Sequence, residues 1–233
     1  MKNMVLSILL FPLFAFGQAD TIHTRPGFDG KQMTLVFEAG EEHNHPLMAV
    51  WTEDTDSNYI ETLFVAKSIA TSVFGHGDAT EGVWKPGVVR RPAALPYWSH
   101  KRGIQADDGY YLPTPDNPVP DAISGPTPQE DFVLTSRLPE NGRIRVLLEI
   151  NQSWDWNEYW TNTKFPGDEQ YRTSSQPSII YEALIDLSDP EESYEMKAIG
   201  HGHYSGKDGK LYKDLSTLTT AKEIVKHIKV VIE

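Results

Sequence analysis

The chain has 233 residues, long enough for one domain with a sizeable buried core. Apolar residues make up 39% and charged residues 23%, with Gly 17, Pro 16, Trp 6, Tyr 10 and Phe 9, which excludes wholesale disorder, collagen and coiled coil and favours a loop-rich β fold. The formal net charge is −12, so counterion release cannot drive nucleic-acid binding without a basic patch. The tightest basic pairs, Arg90-Arg91 and Lys101-Arg102, read as a solvated rim.

At the N-terminus Lys2 supplies a positive start, and Val5 to Phe16 is apolar apart from Ser7. Ala15 and Gly17 place small residues at the −3 and −1 positions of a cut before Gln18. This pattern predicts a secretory signal peptide over 1–17 and a periplasmic or secreted mature chain over 18–233, read as a single domain. The apolar run is about a dozen residues, short of the ~20 that span a bilayer, and no later segment is apolar enough to cross one. The chain has no cysteine, so disulfides, thiolate metal sites and a lipidated cysteine anchor are all excluded.

Period-two alternation predicts strands over Gln32–Glu38, Leu47–Glu53, Tyr59–Lys67, Asp131–Leu138, Arg143–Asn151, Ser178–Leu187, Tyr194–Gly200 and Ile224–Ile232. In Arg143–Asn151 the aliphatics Ile144, Val146, Leu148 and Ile150 oppose Arg143, Arg145, Glu149 and Asn151. The polar run 53–58 predicts a hairpin between the second and third strands, and Pro139-Glu140-Asn141-Gly142 predicts another between the fourth and fifth. The fold expected is all-β: an immunoglobulin-like antiparallel β-sandwich of about eight strands. A long loop and short-helix insertion over about 70–128 interrupts it. Within that insertion 92–98 predicts a short helix, with Pro92 in its first turn and with Leu95 and Trp98 over an open end of the sandwich. A second long loop, 154–176, is rich in Trp and Tyr, and 219–223 reads as a half-turn of helix.

Two His-x-His pairs stand out, His43-Asn44-His45 and His201-Gly202-His203. On a strand, residues i and i+2 share a face, so each pair can present two imidazoles to one ion. Pro46 is expected to hold His45 extended. The four imidazoles, with His76 or His100 as extra ligands, form a candidate Zn²⁺ or Cu²⁺ site. Asp155, Asn157, Glu158 and Asp168 in the aromatic loop form a candidate sugar- or calcium-binding surface, set against a simple solvated rim. Gly-x-Ser-x-Gly and His-Glu-x-x-His are both absent.

Asp121-Ala122-Ile123-Ser124-Gly125-Pro126-Thr127 resembles the motif by which exported flavoproteins receive FMN on a threonine, with Thr127 at the acceptor position. The runs Met48–Asp54, Tyr59–Val65, Arg91–Trp98 and Asp121–Thr127 together resemble an uncharacterised predicted-periplasmic domain family found beside PepSY proteins and flavin transferases. That family is similar to the immunoglobulin-like module of the flagellar hook-capping protein. The resemblance covers about residues 31–138 and implies an exported β-sandwich of the bacterial envelope, tied to redox or metal-uptake systems and with no established catalysis. The reading that follows is a monomeric, non-enzymatic accessory or binding module whose partner is an envelope protein or a small ligand. The alternatives are a metal-binding protein using His43, His45, His201 and His203 and, last, an FMN carrier through Thr127.

Overall fold

A computed structural model describes residues 20–25, 27–119 and 123–233; the leader read over 1–17 lies outside them. The first elements are β1 (Asp20–His23), β2 (Lys31–Ala39), β3 (Leu47–Glu53), β4 (Tyr59–Ala66), α1 (Lys67–Thr71), β5 (Val73–Asp78), β6 (Lys85–Val88) and α2 (Pro96–Lys101). Then come β7 (Ile123–Gly125), β8 (Phe132–Leu138), β9 (Arg143–Asn151), α3 (Glu169–Ser174), β10 (Ile179–Asp186), β11 (Tyr194–Glu195) and β12 (Lys197–His201). A 3₁₀ turn (Thr220–Glu223) leads into β13 (Val225–Ile232).

Two sheets stack as a β-sandwich. One is five-stranded in the order β1-β8-β2-β13-β11, the other six-stranded in the order β12-β10-β9-β3-β4-β7. The alternation in sequence is what closes it. Met33, Leu35 and Phe37 of β2, Phe132 and Leu134 of β8, and Ile228 and Val230 of β13 face Val146, Leu148 and Ile150 of β9, all fully or almost fully buried. Each such side chain contributes about 1.5–3 kcal/mol of burial, which replaces any need for disulfides. In β13 the register shifts between Val225 and His227, so that Val225 and Ile228, three apart, both point inward.

The outer face of the six-stranded sheet is covered as well. Trp51, Val65, Leu147 and Ile180 pack against Ile69, Leu95, Trp98, Leu112 and Val119 in a second apolar cluster. The insertion therefore lies over a sheet face, and not over an open end of the sandwich as the sequence predicts. Its helix begins one turn later than expected, with Pro96 at the first helical position. The β5–β6 hairpin stands apart as its own two-stranded sheet.

Two connections differ from expectation. Pro139–Gly142 joins β8 to β9, which sit in different sheets, so it crosses the sandwich and makes no hairpin. The expected strand over 194–200 is two strands, β11 and β12, one in each sheet. Met196 between them is buried, and its N–H donates to the carbonyl of Ile228. The expected β3–β4 hairpin forms, with register shifts at Val50/Trp51 and Thr52/Glu53, around the Asp54–Asn58 turn, where Asp54 Oδ1 accepts the N–H groups of Asp56 and Asn58. Most neighbouring strands are antiparallel, but β1 pairs with β8 and β4 with β7 in parallel.

Candidate functional site

β9 ends at Asn151 and β10 begins at Ile179, and the loop between them carries most of the exposed aromatic surface. Its backbone is fixed from below. Asn157 Oδ1 accepts the N–H groups of Tyr159 (2.9 Å) and Trp160 (2.7 Å). The Asn157 amide donates to Gln176 Oε1, the Thr217 carbonyl and Thr219 Oγ1, each at 3.0 Å. Gln176, itself buried, donates to Thr220 Oγ1. Asp155 accepts from the Thr220 hydroxyl. Asp168 caps α3 by accepting the N–H of Tyr171 at 3.0 Å, and the Tyr171 hydroxyl donates to the Thr161 carbonyl at 2.6 Å.

On this frame Trp160 is buried at the centre of an aromatic cluster. Its ring lies 6.0–6.4 Å from those of Phe165, Tyr171, Tyr204 and His201, and its indole N–H donates to Thr217 Oγ1. Phe165 stacks on Tyr204 at 4.1 Å and 7°. Around the cluster lie Trp154, Trp156 and Tyr159, exposed by 53%, 39% and 52%. Apolar side chains of that size, gathered on one face, mark an interaction surface.

Three adjoining cavities open on this face. The first, about 420 Å³, is lined by the apolar Trp154, Trp156 and Phe165 and by the polar Asn162, Asp168, Glu169 and Arg172. The second, about 280 Å³, shares Phe165 and is lined by Trp160, Lys164, His201, His203 and Tyr212. The third, about 270 Å³, shares Asp168 and is lined by His100, Tyr110, Tyr111 and Lys207. Such volumes are those of small-ligand pockets.

The histidines divide. His201 and His203 line the second cavity together, although β12 ends at His201 and His203 lies beyond it, so they are not two positions of one strand face. His201 stacks over Tyr212 (5.3 Å, 14°) and its Nδ1 lies 2.7 Å from the Gly202 carbonyl; burial lowers its pKa, so it is neutral at pH 7. Burial lowers His203 likewise, and His203 stacks on Tyr204 at 4.4 Å. His43 and His45 do not join them. The His43 ring sits between the carbonyls of Ile224 (3.2 Å) and Pro128 (3.1 Å), with its edge against Phe37. His45 is not extended: its φ is +52°, and its exposed ring meets Asn44 Oδ1. His76 packs edge-on against Trp84, and His100 stacks on Tyr111. Among the described residues no three His, Asp or Glu side chains gather in an arrangement that could hold a metal ion, so the expected four-imidazole centre is not assembled.

Of the FMN-acceptor motif, Asp121 and Ala122 lie outside the described residues, while Ile123–Gly125 forms β7, an edge strand. Thr127 is half-buried, its carbonyl accepts from Gln129 Nε2, and it lines none of the three cavities. Among the described residues, Glu149 and Glu53 are the acidic groups buried in full on the covered sheet face. Burial pushes the Glu149 pKa up to about 7, against the opposing pull of hydrogen bonds from Ser178 and the N–H groups of Trp98 and Tyr97.

Sequence reasoning missed His100, Tyr110, Tyr111, Tyr204 and Tyr212 as partners of the aromatic loop. The one available signal was the density of Tyr and His around Gly in 109–111 and 200–212. No family model, no curated protein and no solved structure matches the chain.

Proposed function

We propose that the chain is a non-catalytic binding module exported to the bacterial cell envelope, with the aromatic face of residues 154–172 and 201–212 as its ligand surface. The observation that carries this reading is the pre-set loop. Trp154, Trp156 and Tyr159 hold their rings in solvent, while Asn157, Gln176 and Asp168 satisfy the backbone beneath them. A surface ordered before binding loses little entropy on binding. The export half of the proposal rests on the apolar run Val5–Phe16 and the small residues before Gln18, and the resemblance to an envelope-associated family points the same way.

On the aromatic face, the hydroxyl–imidazole pair of Ser205 and His203 favours binding over catalysis. His203 Nδ1 accepts the backbone N–H of Ser205 at 3.1 Å, and the Ser205 hydroxyl lies 3.3 Å from the same nitrogen. Ser205 is buried, and its partner nitrogen is already occupied by the turn. A base that activates serine needs that lone pair free.

The test is two-dimensional NMR of the ¹⁵N-labelled mature chain, 18–233, titrated with a panel of soluble oligosaccharides, hydrophobic tripeptides and aromatic carboxylates. Its six tryptophans give six indole N–H signals. Movement of the Trp154 and Trp156 signals, with the probe recovered unchanged, supports the reading. No movement at any indole, or chemical conversion of a probe, overturns it. Mass analysis of the natively exported protein checks the leader: a chain starting at Gln18 is expected, and a retained N-terminus removes the export claim.

A further inference from the structure

We infer that the cavity lined by Trp154 and Trp156 is a subsite for an uncharged oligosaccharide. The inference rests on the binding-module reading above and narrows its ligand.

Two indoles form the apolar wall. Their ring centroids lie 5.7 Å apart at 77°, so one ring presents its edge to the other and the pair makes a corner of two plates. Both are exposed, and neither indole N–H has a protein acceptor among the described residues, unlike those of Trp51, Trp98 and Trp160. A plate that buries an apolar face while its N–H seeks an acceptor suits a ligand with both characters. A pyranose ring has them: one face of axial C–H bonds and a rim of hydroxyls.

The polar part of the lining decides the charge of the occupant. It carries Asp168, Glu169 and Arg172, with Asn162 beside them. Glu169 pairs with Arg172, and Lys207 lies 3.4 Å from Asp168. The charges cancel locally, so neither an anion nor a cation gains net attraction there. What remains is a fan of hydrogen-bond donors and acceptors, which a polyol uses and an apolar peptide does not. The overall charge of −12 further disfavours anionic ligands.

The backbone adds a third observation. Trp154 is held at a φ of +66°, a strained setting for a bulky residue. Its N–H donates to the Thr173 carbonyl at 3.3 Å, and its own carbonyl accepts from the N–H of Trp156. Such strain concentrates where a ligand surface is pre-set, and here it fixes the two plates relative to each other.

The experiment is titration calorimetry with cellohexaose, chitohexaose and mannohexaose, followed by saturation-transfer NMR on any hexaose that binds. Wild type is compared with Trp156→Ala, Trp154→Phe and, as a control outside the cavity, Trp84→Ala. At least one hexaose binds, with saturation on its ring C–H protons. Affinity falls about tenfold or more in Trp156→Ala, as for a central aromatic contact, less in Trp154→Phe, and not in Trp84→Ala. It changes little with salt, because no charge is neutralised. Trp156 is exposed, and an unchanged thermal midpoint in its variant checks that the fold is intact. Failure of all three hexaoses, or binding indifferent to Trp156, overturns the saccharide assignment. If the hexaoses fail while tripeptides or aromatic carboxylates move the Trp154 and Trp156 signals, the binding module stands with another ligand class. If nothing moves them, both fall.

Discussion

The carboxylate of Glu149, on β9, accepts the backbone N–H of Trp98, on α2, at 2.7 Å. Its other oxygen takes the N–H of Tyr97 at 3.2 Å and the Ser178 hydroxyl at 2.5 Å. One side chain with no solvent exposure thus pins the insertion to the sheet by satisfying N–H groups that the first turn of a helix leaves open. Gly202 closes over it: a Cβ there would lie 2.5 Å from Pro96 Cγ and 2.6 Å from Ser178 Oγ.

That pin makes stability depend on pH. Burial raises the Glu149 pKa from 4.5 to about 7 in the fold. Between those values the folded state holds a proton that the unfolded state has lost, so stability falls as pH rises through this window. The group's contribution is greatest below about 4.5 and levels off above 7, a span of order 3 kcal/mol. Urea unfolding between pH 4.5 and 8 is expected to show this decline in wild type and a flatter profile in Glu149→Gln, whose amide can accept from Trp98 and donate to Ser178 but leaves the Tyr97 N–H without its acceptor. Glu149→Ala orphans both helix N–H groups and is expected to lose about 2–4 kcal/mol at pH 4.5, and less as pH rises through 7. Equal pH slopes in wild type and Glu149→Gln would remove the assignment.

Glu149 also shows where the sequence stops being legible. The bounds of β3 and β9 can be read directly, because each has turn residues at its ends and a period of two within. The same pattern marks Arg145, Glu149 and Asn151 as the solvent side of β9. Yet Glu149 and Asn151 are buried: Tyr97 and Trp98, about fifty positions upstream, lie over Glu149, and Ser174 and Gln176, downstream, hold Asn151. A period identifies two faces and cannot tell which is covered twice. The short strands Asp20–His23, Ile123–Gly125 and Lys85–Val88 have no alternation to read, and Pro86 and Gly87 argue against the last. The aromatic composition of the site was visible in 154–171, but its walls come from 100–111 and 201–212, and only the folded topology brings them together.

Arg145 is the second pin. It bonds Glu53, which has no side-chain exposure, together with Ser57 and Glu182. Glu53 also accepts from the Trp51 indole at 3.0 Å, and Lys101 lies 3.5 Å away. Arg145→Met strips the main countercharge from a buried carboxylate, and a loss of about 3–5 kcal/mol is expected, seen as a thermal midpoint lower by roughly 10 °C. The double variant Glu53→Gln/Arg145→Met removes the stranded charge and is expected to recover at least half of that loss. A calorimetric double-mutant cycle with no coupling between the two sites would contradict the pairing.

Gly206 fixes the wall that carries His203 and Tyr204. Its φ is +73°, and a Cβ would meet the Pro92 carbonyl oxygen at 2.1 Å. Gly206→Ala therefore adds a backbone clash to the left-handed strain of about 1–2 kcal/mol and is expected to push the 203–206 turn off the insertion. Gly167→Ala is the control, since its φ is +83° but nothing lies within 4 Å of the added methyl. Only strain is expected there. Denaturant midpoints should separate the two variants, and the His203 ring resonances should shift in Gly206→Ala alone.

Asn157 ties the proposed ligand face to the body of the protein. Its Oδ1 accepts from Tyr159 and Trp160, and the two hydrogens of its NH2 are shared among Gln176 Oε1, the Thr217 carbonyl and Thr219 Oγ1. Asn157→Ala leaves two backbone N–H groups without their acceptor and is expected to cost about 2–3 kcal/mol. Asn157→Asp keeps the acceptor but sets a carboxylate oxygen against Gln176 Oε1 and the Thr217 carbonyl, so it is expected to be no better than Ala. Hydrogen exchange is the direct measurement. The amides of Tyr159 and Trp160 should exchange faster in both variants, while those of β9 and β10, which hold the sheet, keep their protection. Binding at the Trp154–Trp156 corner should weaken in parallel, because plates on a loosened loop must be ordered again each time a ligand arrives. Unchanged exchange at Tyr159 and Trp160 in Asn157→Ala would mean that the loop is held by its aromatic packing, and that the amide network beneath it is incidental.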